Sequence, residues 1–95
     1  MKYNVRATLI NPDDEMEYTF NSIIFSFIYD EDQYGNGYYC RIEGKNFYRQ
    51  VIDLRYNKTF DSNNKEKWIE NWIKNLWNGD NGAFVLKSYE IKKEK

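Results

Sequence analysis

The sequence predicts an α+β fold, an antiparallel sheet of about five strands with one amphipathic helix packed across one face, in the order β-β-β-β-α-β. Three observations support this class. One stretch, 63–79, has helical periodicity, and segments with strand-like alternation lie before and after it. The connections between the first strands are short, as antiparallel neighbours require.

The stretch from Asn63 to Gly79 holds all three tryptophans of the chain. At about 100° per residue its apolar side chains cover roughly half of the helix circumference. We expect Leu76 and Ile69, at the centre of this apolar face, to be deeply buried, and Trp68 and Trp77 to lie at its edges. In angular order the face consists of Trp68, Trp72, Leu76, Ile69, Ile73 and Trp77.

Both ends of the helix carry recognisable signals. Asp61, Ser62 and Asn63 are all suitable N-cap residues, and Asn63 with Glu66 has the spacing of a capping box. Asn78-Gly79 is a suitable stop, because glycine accepts the left-handed conformation after a last helical turn. The sequence therefore predicts a helix that begins near residue 63 and ends near residue 78.

The first half of the chain alternates in the manner of strands. Tyr3–Ile10 has apolar residues at every second position and predicts a half-buried strand, followed by a turn at Asn11–Asp14. In Met16–Tyr29 the apolar positions change parity at Asn21-Ser22, which predicts either a bulge in one strand or a break between two. The part from Ile23 onward is apolar on both faces and predicts a central strand with the helix on one side.

A hairpin is predicted next. We expect a loop at 30–37, a strand at Tyr38–Glu43, a tight turn at Gly44-Lys45 and a second strand at Phe47–Tyr56. Alternation places Tyr39 and Arg41 on one face of the first strand. On one face of the second strand it places Phe47, Arg49, Val51, Asp53 and Arg55.

The chain is expected to end in a last strand, Ala83–Ile91, and a frayed tail, 92–95. Its length of 95 residues, with 41% hydrophobic and 19% aromatic residues, predicts a single domain spanning 1–95 with one core. No internal repeat or linker is recognisable.

Charge and cysteine content bound the setting of the protein. With 14 basic and 15 acidic residues the net charge is −1, so no overall field attracts the chain to nucleic acid or to an anionic membrane. The only cysteine, Cys40, has no internal partner for a disulfide, and neither a signal peptide nor a membrane-spanning stretch is recognisable. We therefore expect a soluble, cytoplasmic protein.

The residue types present argue against catalysis. The chain has no histidine, so the common pairs of nucleophile and base and the usual zinc sites are not available. Ser62 and Lys65 match a bare S-x-x-K pattern, but Ser62 has a simpler role as a helix cap. A calcium loop beginning at Asp30 would place Arg41 where a bidentate glutamate is needed. We expect a protein that is not an enzyme and that needs no metal or cofactor.

The predicted hairpin mixes aromatic residues with arginines. Such a face can stack bases and contact phosphates, but tyrosine and arginine also dominate the hot spots of protein interfaces. The net acidity favours a protein partner, and the acidic stretch before the hairpin can add to its recognition. The candidate binding residues are Tyr39, Arg41, Phe47, Arg49, Arg55, Asp30, Glu31 and Asp32.

In size, in a composition rich in Asn, Lys, Tyr and Ile that is typical of A+T-rich genomes, and in its single-domain α+β plan, the chain resembles accessory proteins of phages and mobile elements. Among these are the anti-CRISPR inhibitors of bacterial defence nucleases, and the chain also resembles small acidic immunity proteins. The resemblance covers overall character and no motif. It implies an inhibitor that acts in a bacterial host and assigns a role to no residue. The acidic clusters supply a mechanism, because they can imitate nucleic-acid phosphate in the basic channel of a nuclease. The alternative is a protein that binds single-stranded nucleic acid on the hairpin face. Ile24 and Ile28, or an edge strand, are candidates for pairing two copies.

Overall fold

The computed structural model confirms the α+β architecture, with a single five-stranded antiparallel sheet and one α-helix in the residues it describes. The elements are β1 (Lys2–Ile10), β2 (Glu17–Asp32), β3 (Gly35–Gly44), β4 (Phe47–Asp53), a 3-10 helix (Leu54–Tyr56), α1 (Lys65–Trp77) and β5 (Val85–Glu94). The strand order in the sheet is β4-β3-β2-β1-β5, so the strand after the helix returns to the edge beside the first strand.

The structure describes residues 1–32, 35–45, 47–60, 63–77 and 85–94. The side chains at 30–32, 36, 48, 76 and 77 lie outside this description. The predicted burial of Leu76, the edge position of Trp77 and the stop at Asn78-Gly79 therefore fall outside the described residues. No helix in the described ranges is long and apolar enough to cross a bilayer.

The predicted alternation of the first strand is confirmed. In β1 the side chains of Tyr3, Val5, Ala7 and Leu9 are buried, while those between them are half-buried or exposed. The turn that follows has the expected side-chain acceptor, because Asn11 Oδ1 accepts a hydrogen bond of 2.9 Å from the Asp13 N–H. β1 thus contributes one apolar row to the core.

The change of parity in the second segment is a bulge within one strand. Val5 pairs with Ile23 and Ala7 pairs with Phe20, so two steps along β1 correspond to three along β2. The extra residue lies at Asn21-Ser22, where the sequence pattern changes phase. β2 is also the central strand of the sheet, and Ile23, Phe25 and Phe27 point from it into the core.

The loop predicted at 30–37 is wrong over most of its length. β2 continues to Asp32 and β3 begins at Gly35, and these residues form a ladder that closes with the pair Asp32↔Gly35. Backbone pairing between β2 and β3 therefore extends through a stretch whose acidic and glycine-rich composition predicts a loop.

The ends of two other strands also differ from the prediction. β4 ends at Asp53, and its side chain accepts from the Arg55 N–H at 3.0 Å, which caps a 3-10 helix where the sequence predicted more strand. The tail predicted to fray at 92–94 is part of β5, because Lys92 and Glu94 pair with Asn4 and Lys2 of β1. A local cap thus ends β4, whereas pairing with the distant strand β1 extends β5.

The helix covers one face of the sheet, but its buried stripe is shifted from the predicted one. Trp68, predicted at an edge, is only 1% exposed, and Ile69 and Ile73 are fully buried, whereas Trp72 is half-buried. The segment before the helix causes the shift, because it places Phe60 against the Trp68 ring at 6.3 Å between centroids. A helical wheel does not include this neighbour.

The start of α1 is one residue later than the predicted capping box. Asn64, and not Asn63, is the N-cap residue, since its Oδ1 accepts from the Lys67 N–H at 3.1 Å and its carbonyl accepts from the Trp68 N–H at 3.2 Å. Lys74 and Glu70 form an ion pair of 2.7 Å one turn apart on the outer surface. The helix is therefore held by a cap, a surface pair and a buried aromatic stripe.

Candidate functional site on the open face of the sheet

The two faces of the sheet differ in what covers them. Phe27 and Cys40 are cross-strand partners on the helix side, and both are buried. The neighbouring pair Ser26 and Arg41 therefore points to the opposite side, which no described element covers. We use the name open-face patch for the set Ile24, Ser26, Ile28, Tyr39, Arg41 and Val51.

Cross-strand register brings the members of this patch together. Arg41 lies between Ser26 of β2 and Val51 of β4, and Tyr39 pairs with Ile28. Ser26 is 5% exposed beneath its neighbours, whereas Val51 is 53% exposed. The patch thus combines an exposed apolar rim with an arginine at its centre, and two of the predicted binding residues, Tyr39 and Arg41, belong to it.

Arg41 is the unusual member of the patch. Its side chain is half-buried, and its Nε is buried without a hydrogen-bond partner among the described residues. No carboxylate in those residues lies within ion-pair distance of its guanidinium. A buried donor without a partner costs about 1–3 kcal/mol. An acceptor supplied by a bound partner, with a small rotation of this side chain, would remove that cost.

Phe47 does not belong to the open face, contrary to the sequence prediction. Ile42 pairs with Gln50 while Gly44 pairs with Phe47, so β4 carries an extra residue in between and Phe47 changes face. Its ring packs on the helix side, 6.0 Å from the ring of Phe20 and 6.3 Å from that of Trp72. Phe47 is therefore a core residue.

Arg55 is also separated from the predicted face. It lies in the 3-10 helix, where its NH2 is 2.8 Å from Asp53 Oδ2 and its guanidinium lies 5.3 Å from the centre of the Tyr56 ring. The hydrogen bond from the Arg55 side chain lowers the pKa of the exposed Asp53 carboxyl. Arg49 is exposed on β4, one of the two edge strands.

The three acidic candidates, Asp30, Glu31 and Asp32, lie at the end of β2. The last four rungs of the β2–β3 ladder, from Tyr29↔Tyr38 to Asp32↔Gly35, have no neighbouring strand on either side among the described residues. We call these rungs the hairpin arm. The backbone thus places the acidic residues at the far end of a two-stranded extension, and their side chains lie outside the described part.

An aromatic pair at the base of the arm was not among the predicted binding residues. The rings of Tyr29 and Tyr38 are 4.5 Å apart between centroids, and the two residues are 45% and 52% exposed. They border a small cavity of about 120 Å³ on the helix side, whose wall includes Phe27, Leu54, Phe60 and Lys65. The Tyr29–Tyr38 pair can be predicted from the sequence only if the β2–β3 ladder is extended through 30–37, the stretch whose composition predicts a loop.

Chemically reactive groups are few. Among the described side chains no three of His, Cys, Asp or Glu lie close enough together to hold a metal ion. Cys40 is fully buried, and burial raises the pKa of its thiol to about 12. The thiolate, the nucleophilic form, is therefore scarce at neutral pH.

Cys40 is expected to be unreactive toward a thiol reagent such as DTNB in the folded chain and to react fully in urea. Because the thiol ionises at about 12 when folded and at 9.0 in its reference state, the unfolded chain binds fewer protons above pH 9. The contribution of Cys40 to stability is thus complete below pH 9 and is lost as the pH rises toward 12. Urea unfolding at a series of pH values measures this loss, and the labelling rate at pH 7 measures the protection of the thiol. Rapid labelling of the folded chain at pH 7 would contradict the burial of the thiol.

Comparison with known proteins returned no family model, no curated protein and no solved structure that matches this chain.

Proposed function

We propose that this chain is a small protein-binding module without catalytic activity of its own, and that it binds its partner through the open-face patch. The observation that carries the proposal is Arg41, whose Nε is buried without a hydrogen-bond partner among the described residues, in the middle of half-exposed Ile24 and Ile28 and exposed Val51. Arginine and tyrosine surrounded by apolar contacts are typical of the energetic centre of protein interfaces.

The partner that fits this patch has an acceptor group, a carboxylate or a backbone carbonyl, within an apolar contact surface. Arg41 can donate from a planar fork of N–H groups to such an acceptor. Tyr39 and Val51 flank it and can exclude water from the pair. The charge of Arg41 is not neutralised by any described carboxylate, so it is available to the partner.

Binding of single-stranded nucleic acid is the weaker alternative. That function needs several aromatic and arginine side chains along one face. Phe47 packs in the core and Arg55 pairs with Asp53, so the face retains fewer of these groups than the sequence predicted. The net charge of −1 also opposes attraction to a polyanion.

The test compares two substitutions that each remove one positive charge. Arg41→Ala removes the centre of the patch, and Lys67→Ala is the matched control on the exposed surface of α1. Proteins captured from host extract by the immobilised chain are identified, and the affinity of each purified candidate for the three forms is measured. We expect Arg41→Ala to weaken binding about tenfold or more, Lys67→Ala to leave it unchanged, and both variants to remain folded with a cooperative thermal transition.

One outcome would contradict the proposal, and another would favour the nucleic-acid alternative. Equal binding by both variants and the wild type would place the interface elsewhere and overturn the proposal. A labelled single-stranded oligonucleotide that binds the wild type at low salt and not the Arg41→Ala variant would favour the nucleic-acid alternative.

The hairpin arm supports a narrower version of the proposal, in which the module inhibits a nuclease. In this version the chain is encoded by a phage or mobile element and acts in the bacterial cytoplasm, as an anti-CRISPR or immunity-type inhibitor. Three consecutive acidic residues at the end of an unsupported ladder, Asp30 to Asp32, are suited to enter a basic channel as an imitation of phosphate.

Two results are expected if the arm acts in this way. Neutralising the triplet with Asp30→Asn, Glu31→Gln and Asp32→Asn abolishes capture of the partner, and excess duplex DNA releases the partner from the wild-type chain. A partner that stays bound to the neutralised form excludes phosphate imitation and leaves the open-face patch as the binding surface.

A further inference from the structure

The two edges of this open sheet differ in how they are protected. The β5 edge carries three exposed lysines, Lys87, Lys92 and Lys93, and charge of this kind discourages pairing with another strand. The β4 edge, with the sequence FYRQVID, has neither lysine nor proline. Its exposed apolar residue is Val51, which is 53% exposed. Lysine side chains therefore discourage strand pairing at the β5 edge, whereas neither lysine nor proline does so at the β4 edge.

The backbone of β4 is paired on one side. Its register partners are residues of β3, and no backbone hydrogen bond joins 49–53 of this strand to a described residue outside β3. After Asp53 the chain leaves the sheet in the 3-10 helix. The outward N–H and C=O groups of 49–53 can therefore accept a further strand.

The residues of β4 are complementary to a second β4 in one antiparallel register. If Val51 pairs with Val51 of a second copy, Arg49 of each copy stands opposite Asp53 of the other. A register centred on Gln50 would instead place Arg49 against Val51. Opposite charges face each other and the exposed valines meet only in the first register, which cross-strand pair energies favour. Asp53 keeps acceptor capacity beyond the bonds from Arg55.

We propose that two copies of this chain pair β4 to β4 about a two-fold axis through Val51, which joins the two five-stranded sheets into one continuous sheet. Since Val51 and Arg41 are cross-strand partners, the two open-face patches then adjoin at the axis. The paired copies present one surface that contains the Arg41 side chain of each copy. The pairing does not depend on the proposed protein partner, and its test needs no partner.

The first test uses cysteine substitutions that report the register. Val51→Cys places two thiols at the axis, where they are close enough for a disulfide. Ser88→Cys, at an exposed position of the other edge strand β5, is the matched control, and Cys40 is buried and does not interfere. Under mild oxidation we expect Val51→Cys to form a covalent dimer at least about tenfold faster than Ser88→Cys, because pairing raises the effective thiol concentration.

The second test uses Val51→Lys, which puts like charges at the axis without disturbing the core. Light scattering should give twice the monomer mass of 11.6 kDa for the wild type at high concentration and the monomer mass for Val51→Lys. The two thermal midpoints should agree at low concentration, where both chains are monomeric. A wild-type chain that stays monomeric overturns the proposal. So does a dimer that persists in Val51→Lys, or a Ser88→Cys chain that links as fast as Val51→Cys, since both place the contact elsewhere.

Discussion

Replacing Trp68 with alanine is expected to lower the free energy of unfolding by about 3–5 kcal/mol, the usual cost of deleting a buried tryptophan ring. The ring is 1% exposed, and it packs edge-on against Phe25, Phe27 and Phe60, with centroid distances of 6.5, 5.6 and 6.3 Å. It joins the helix, the central strand and the segment before the helix. Its loss therefore leaves a cavity that no single element can close.

Trp68→Phe separates the ring from its polar atom. The indole Nε1 of Trp68 is buried without a hydrogen-bond partner among the described residues, so phenylalanine keeps an aromatic ring and removes an unsatisfied donor. We expect its loss of stability, measured by urea unfolding, to be well below that of Trp68→Ala. An alanine variant that loses less than about 1 kcal/mol would show that Trp68 is not at the centre of the core.

Gly44→Ala is expected to lower the free energy of unfolding by about 1–3 kcal/mol, as overpacking does in a fixed backbone. A Cβ at this position would lie 2.5 Å from the backbone carbonyl oxygen of Ser22 and 3.3 Å from the Cα of Ile23. The close approach occurs beside the bulge of β2, where Gly44 pairs with Ile23. Backbone atoms of two strands must move apart to admit a methyl group.

The neighbouring substitution Glu43→Ala provides the control for Gly44→Ala. Glu43 is exposed one residue earlier in β3, so its truncation should change the unfolding free energy by less than about 0.5 kcal/mol. Measurement of both variants in the same urea titrations isolates the steric effect from any general sensitivity of β3. Equal stability of Gly44→Ala and the wild type would mean that the two strands can separate at no cost.

The core residues and the proposed binding residues lie on opposite faces of the same strands. In β3, Cys40 and Ile42 are fully buried under the helix, while Tyr39 and Arg41, which alternate with them, point to the open face. A substitution on the first pair is therefore expected to act on folding, and one on the second pair on recognition. This separation makes the Arg41→Ala comparison interpretable, because the variant keeps the core intact.

Several features could be predicted from the sequence because local patterns encode them. The alternation of Tyr3–Ile10 specifies which side of β1 is buried, and the Asn11–Asp14 turn follows from side chains that bond to their own backbone. The change of parity at Asn21-Ser22 marks the position of an irregularity, and the register with β1 shows that it is a bulge and not a break. Together with the helical period around Ile69 and Ile73, these patterns determine the fold class.

The sequence by itself determined the type and order of the elements, since each needs only the period of its own residues. The tertiary structure alone decided the face of Phe47, because a bulge is a mismatch between two strands and cannot be counted along one. The burial of Trp68 is visible only in the tertiary structure, because Phe60 contacts it from outside the helix. The acidic stretch predicted as a loop belongs to the hairpin arm, because hydrogen bonding between β2 and β3 stabilises a ladder that local composition does not favour.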